Sequence, residues 1–287
     1  MVKLLQPDSQ VYFPGGCGND LRLTKTTHLA VGAHQDDLEI FAIHGILEAY
    51  DDPDLHFTGV TVTDGRGAPR SGPYAGISDD ELWKIRIEEQ KKAADIGKYN
   101  AQFLLNYPSK RVKLQDAVDV IEDLKNILVV TSPTTIYTHN LADKHDTHVA
   151  VTLCLIQALW ELNPPLDDIK LYGCEVWRGL DWLLDEQKIT LDASKHTDLQ
   201  EDLLTVFESQ IIGGKRYDLA TMGRRLANAT YFQSHQTDTA SRMVYAMDLT
   251  PLVYNPEMDI TRFTIETIQS FANDVSDRLN RLRKDAG

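Results

Sequence analysis

Between residues 28 and 162, apolar runs of strand length alternate with stretches whose apolar residues recur at helical spacing. Residues 29–33 form one unbroken apolar run, residues 56–63 alternate around Phe57, Val60 and Val62, and residues 101–107 and 134–137 supply two further strands. Between them, residues 38–50 carry Ile40, Phe41, Ile43, Ile46 and Leu47, an apolar surface broad enough to lie against a sheet. Residues 79–97 open with Ser78 three positions before Glu81, the pattern of a capping box, and stop at Gly97. Residues 115–130 and 147–162 read as two more helices, and Asn163-Pro164-Pro165 breaks the chain. This βα alternation predicts an α/β protein with a Rossmann-like, mainly parallel sheet flanked by helices, its strands in the order 3-2-1-4-5.

The pattern weakens on either side. Residues 1–26 read as an irregular lead-in with turn signals at Pro14-Gly15-Gly16 and Gly18-Asn19-Asp20. Beyond residue 165, KLYGCEVW at 170–177 reads as a strand, 198–211 and 217–229 as helices, and 242–249 as an added strand. Residues 260–283 form a long amphipathic helix, an external cover or an oligomer contact. The expected organisation is one domain over 1–287, with its core at about 27–165 and a C-terminal elaboration at 166–287.

Chemistry gathers where strands end. The run 29–33 empties into His34, Gln35, Asp36 and Asp37, and the strand at 134–137 leads into HNLADKHDTH, residues 139–148. Asp36 or Asp37 also suits the N-cap of the following helix, and His145 with His148 suits a solvated helix start. His145 and His148 lie three apart, however, which puts two imidazoles on one helical face. In the order 3-2-1-4-5, the first and fourth strands are neighbours at the switch point, where ligands bind outside the carboxyl ends of a parallel sheet. Both clusters would then stand on the lips of one crevice.

AHQDDLE resembles the AHPDDxE signature of the PIG-L/LmbE superfamily of zinc-dependent N-deacetylases. NLADKHDTHVAV resembles that family's second metal motif, usually HPDH before an apolar helix, and Arg86 to Glu89 is similar to its RxxE helix. The resemblance implies one Zn2+, or another divalent metal, held by His34, Asp37 and His148. It implies attack of a zinc-activated water on the N-acetyl group of an N-acetylglucosamine-type amino sugar or conjugate, with Asp36 as general base. His145, as imidazolium, would stabilise the developing oxyanion, oriented by Asp146 or Asp143, and Arg86 would stand near the substrate. Two departures matter: Gln35 replaces the usual proline, and HDTH replaces HPDH, so that Thr147 stands where an aspartate is expected. The alternative is a hydratase or lyase of the same superfamily acting on an unsaturated carboxylic acid, and a third reading is a non-catalytic sugar-binding relative.

The loop from Thr63 to Pro73 is rich in Gly and Pro and leaves the same sheet edge. It carries neither GxGxxG nor a P-loop, so it reads as a substrate-contacting loop in which Arg66 reaches a sugar hydroxyl or an anionic group. With 29 Lys+Arg against 43 Asp+Glu, the net charge of −14 argues against nucleic acid or an anionic membrane as partner. Cys17, Cys154 and Cys174 show no disulfide or metal spacing. No stretch is long and apolar enough for a signal peptide or a membrane span, so the expected location is the cytoplasm, with a homo-oligomer possible.

Overall fold

A computed structural model describes residues 2–16, 18–162 and 165–283; Cys17 and the break at Asn163-Pro164 lie outside the described residues. Eight strands are formed: β1 Gln10–Tyr12, β2 His28–Gly32, β3 Phe57–Thr63, β4 Ala101–Tyr107, β5 Thr135–His139, β6 Lys170–Cys174, β7 Lys188–Asp192 and β8 Met243–Asp248. They make one sheet in the order β1-β4-β3-β2-β5-β6-β8-β7. The added strand expected at 242–249 is β8, and the first five predicted strands are β2 to β6. Their order β4-β3-β2-β5-β6 is the expected 3-2-1-4-5, parallel throughout.

β2, β3 and β4 are buried along their whole length, as strands covered on both faces must be. Leu29 and Val31 face one core and Ala30 the other, following the two-residue period of a strand. Several of the strands' hydroxyl groups are paired within the sheet. The Thr63 hydroxyl donates to the Ala33 carbonyl at 2.7 Å, and the Thr26 and Thr58 hydroxyls share a bond of 2.8 Å.

Three features depart from expectation. The lead-in is not irregular throughout, because β1 pairs antiparallel with β4, Gln10 opposite Leu104. A three-residue edge strand is too short to show a period. β7 is likewise short and half-exposed, and it is held at the far edge by antiparallel pairing to β8. The predicted helix 38–50 breaks at Ala42 into Asp37–Phe41 and Ile43–Asp51. Buried Arg225, from the helix Tyr217–Tyr231, donates to the carbonyls of Glu39 at 2.6 Å and Ile40 at 3.2 Å. Those are the acceptors that an unbroken helix would give to the N–H groups of Ile43 and His44.

Arg225 also donates to the Gln200 side chain at 2.8 Å, so one guanidinium joins three helical segments. Its removal strands several buried acceptors at once. Arg225→Leu is expected to lower the unfolding free energy by about 2–4 kcal/mol, measured by denaturant titration.

The helix Ile260–Leu282 is N-capped by Asp259, which accepts the Arg262 N–H at 2.8 Å, and none of its residues is buried. Among the described residues, no helix is long and apolar enough to cross a membrane.

Candidate metal centre and its cavity

The carboxyl end of β2 turns sharply. Asp36 adopts φ 100°, a left-handed backbone, which lets Asp37 begin a helix while the Asp36 side chain makes no capping bond. Asp37 does not face solvent either, since its Oδ2 accepts the His34 backbone N–H at 2.6 Å. The capping alternative for this pair is therefore not what the side chains do.

His34 Nδ1 lies 3.2 Å from His148 Nε2 and 3.3 Å from Asp37 Oδ2, and His148 Nε2 lies 3.4 Å from Asp37 Oδ1. Residues more than a hundred positions apart thus converge as the strand order requires. Zinc bonds of about 2.0–2.1 Å arranged tetrahedrally separate donor atoms by roughly 3.3 Å, so this spacing fits such an ion. Two triplets of potential ligands overlap here, His34/His145/His148 and Asp37/His139/His148, and the predicted set spans both.

His139 ends β5 and is fully buried. Its Nε2 accepts the Ala33 N–H at 2.9 Å, and its ring stacks on His148 with centroids 3.8 Å apart. With that nitrogen's lone pair committed, His139 serves as a floor that fixes His148 rather than as a free donor. The structure extends the strand expected at 134–137 to His139, a residue to which the sequence pattern assigned no role.

Asp143 makes no ring hydrogen bond to the histidine it was expected to orient. Its Oδ1 accepts the His145 backbone N–H at 2.9 Å, and its Oδ2 lies 3.6 Å from His148 Nδ1 while accepting the Trp177 N–H at 3.1 Å. Asp146 is exposed on the first turn of the helix Asp146–Trp160. Among the described residues the His145 Nδ1 is buried without a hydrogen-bond partner, so neither aspartate fixes that ring.

Burial sets the charge states. It pushes His148 down to about 3, against the pull of Asp37, so this imidazole is neutral and ready to donate a lone pair. Burial pushes Asp37 up, but His148 and His139 outweigh it and hold the carboxylate well below its usual range. For Asp36 burial wins: Arg86, with Nη2 3.8 Å away, opposes it, Asp37 and Glu39 reinforce it, and the group sits well above the ordinary aspartate range. His145 is lowered by burial and then by His34, which makes it a neutral N–H donor at pH 7 rather than the expected imidazolium.

One linkage follows. A histidine at about 3 when folded and near 6.5 when unfolded takes up its proton only on unfolding at intermediate pH, so stability falls as pH drops below about 6.5. Metal-free protein is expected to melt at lower temperature at pH 5 than at pH 7. His148→Gln should flatten that slope, as read by thermal unfolding across the range.

The cluster opens into a cavity of about 610 Å³ lined by Asp36, Arg86, His145, Trp177 and Tyr217 among others. Arg86 is buried, donating to the carbonyls of Gln35 at 2.6 Å and Gly65 at 3.2 Å, and so ties the two loops that shape the wall. A Cβ at Gly65 would fall 2.3 Å from Gln35 Oε1, and its φ of +66° also favours glycine. Arg66 is not brought to the cavity. Its guanidinium lies over the Trp83 ring at 4.1 Å and pairs with Asp64 and Asp80, while its neighbours Gly65, Gly67, Ala68 and Pro69 line the wall. Trp177 and Tyr217 were missed by sequence reasoning; Trp177 follows β6 at the same sheet edge, but nothing in the sequence marked Tyr217.

Residues 29–159 match the family described as PIG-L, GlcNAc-PI de-N-acetylase. No curated sequence matches the chain. Among solved structures, the chain is similar to the conserved protein TT1542 from Thermus thermophilus, with TM-score 0.60, 17% identity, and 82% of this chain and 99% of that one covered. It is similar to the 4-carboxy-2-hydroxymuconate hydratase GalB from Pseudomonas putida, with TM-score 0.59, 17% identity and coverage of 78% and 96%. N,N'-diacetylchitobiose deacetylase from Pyrococcus horikoshii gives TM-score 0.59, 17% identity and coverage of 78% and 84%. At these identities the likeness is one of fold.

Proposed function

Residues 29–159 belong to the PIG-L family, and from that premise we propose that the chain is a metal-dependent hydrolase that removes an N-acetyl group from an amino sugar or its conjugate. The single observation that carries this reading is the donor spacing of His34, Asp37 and His148, between 3.2 and 3.4 Å, with His34 and Asp37 lining a cavity. Those three residues would hold one zinc ion. When bound, zinc supplies positive charge that brings the pKa of a water down to about 7.

Asp36 takes the proton of the attacking water and delivers it to the departing amine. Burial raises its affinity for a proton, which suits a group that must hold one between the two steps. Arg86, fixed by donating to the Gln35 and Gly65 carbonyls, keeps a positive charge 3.8 Å from Asp36 Oδ2 and is a positioning residue. His145, at the N-cap of its helix with its ring edge on His34, donates an N–H to the amide oxygen as negative charge develops there. Trp177, anchored through its backbone to Asp143, offers a flat apolar face for a sugar ring.

The alternative is hydration of an unsaturated carboxylic acid by the same base and donor, a reaction class carried by GalB on a similar fold. Release of acetate from an N-acetylglucosamine conjugate, abolished by chelation and restored by zinc, is the expected result. Full activity in metal-stripped protein would overturn the proposal, and loss of ultraviolet absorbance from an unsaturated dicarboxylic acid without acetate release would favour the alternative. The cysteine usage fits action in the cytoplasm.

A further inference from the structure

The cavity carries a charge opposite to that of the chain around it. Four cationic side chains line it, Arg86, Lys110, Lys113 and Lys215, against two carboxylates, Asp36 and Asp37. The carboxylates are already engaged: Asp36 faces Arg86, and Asp37 is shared among His34, His139 and His148. Three ammonium groups are left without a carboxylate partner, in a protein whose net charge is −14.

These three lysines are free to act. Lys110 and Lys113 stand on the short helix Ser109–Val112 and its C-cap, just beyond the carboxyl end of β4. Lys215 comes from the link before the helix Tyr217–Tyr231, with its Nζ 5.3 Å from the centre of the Trp177 ring. All three are exposed, and among the described residues none pairs with a carboxylate. Their neighbours differ in that respect, Arg111 being tied to Asp116 and Asp119, and Arg216 to Asp218. Two separate segments of chain therefore deliver unneutralised ammonium groups to one rim, beside an aromatic face. A second cavity of about 220 Å³ continues past Trp177 and Lys215 and adds Arg224, whose guanidinium donates to the Val176 carbonyl.

We propose that Lys110, Lys113 and Lys215 form an anion-binding rim, so that the ligand of this cavity carries a phosphate or carboxylate group on the part of the molecule remote from the metal centre. This rests on reading the cavity as a substrate site but not on the reaction performed there. A rim of flexible ammonium groups favours point-charge attraction over shape, and so adds on-rate and salt-dependent affinity. The neutral core of the ligand lies against Trp177, and the anion selects among otherwise similar rings.

The test is calorimetric binding of glucosamine 6-phosphate and of glucosamine to metal-loaded protein, at low and high salt, together with the triple variant K110Q/K113Q/K215Q. The phosphorylated sugar is expected to bind about tenfold or more tightly than the neutral one at low salt. The margin should shrink as salt screens it and vanish in the variant, whose melting temperature stays unchanged because the three side chains are exposed. Equal affinities, no binding of either sugar, or a phosphate advantage that survives the three substitutions would overturn the proposal, the last because the anion would then be held by the metal. Failure of the deacetylase reading is a separate outcome: no acetate released from any acetylated sugar, with the lysine-dependent preference intact.

Discussion

Asp36→Asn is expected to lower kcat by about 10²–10⁴-fold, the usual contribution of a general base, while the purified variant keeps its full equivalent of zinc. The separation follows from geometry. Asp36 stands next to Asp37 in sequence, yet it points at Arg86, with 3.8 Å between Nη2 and Oδ2, whereas Asp37 lies against the histidines at 3.3–3.4 Å. An amide preserves the shape and removes the basicity. KM should change little, because most of the cavity lining is contributed by other residues. A variant with unaltered kcat would end the assignment of Asp36 as the base, and a variant that lost its metal would move it into the ligand set.

Asp37→Ala should do the reverse and abolish both metal content and turnover. One carboxylate bridges all three imidazoles, so its loss removes a ligand and leaves His34, His139 and His148 without the negative charge that draws a cation. His148→Ala should match it. His139→Gln is the discriminating control, since a residue that only supports a ligand typically costs 10–100-fold in metal affinity rather than all of it. Elemental analysis at graded free zinc reads these outcomes directly. Retention of a full equivalent in Asp37→Ala, or complete loss only in the His139 variant, would shift the centre to the other triplet.

Much of this architecture was legible in the residue pattern, for reasons that can be named. A strand buried on both faces reads as a mostly apolar run, and residues 29–33, 57–63 and 101–107 show that directly. Once the strands are counted, the position of His34 beside His148 follows from the winding of the sheet, with no knowledge of side chains. What stayed hidden depends on contacts between distant segments. Arg66 looked poised for a ligand because its loop leaves the correct edge, but Trp83, on a helix seventeen positions later, captures its guanidinium. Asp143 was one of two possible partners for His145, and only the fold shows that its bonds go to the backbone N–H groups of His145 and Trp177, with the His148 ring 3.6 Å away. Lys110, Lys113 and Lys215 are ordinary surface lysines until the loops bring them to one opening.

The left-handed turn at Asp36 has a consequence for how this protein could be hardened. Aspartate held at φ 100° costs of order 1 kcal/mol or more relative to glycine, and it does so with a carboxylate whose burial is itself unfavourable. Asp36→Gly would relieve both costs but leave the buried Arg86 guanidinium without its carboxylate, so hardening the chain there means changing the pair together, at the loss of the base. The active chain keeps a weak spot at the place where it works.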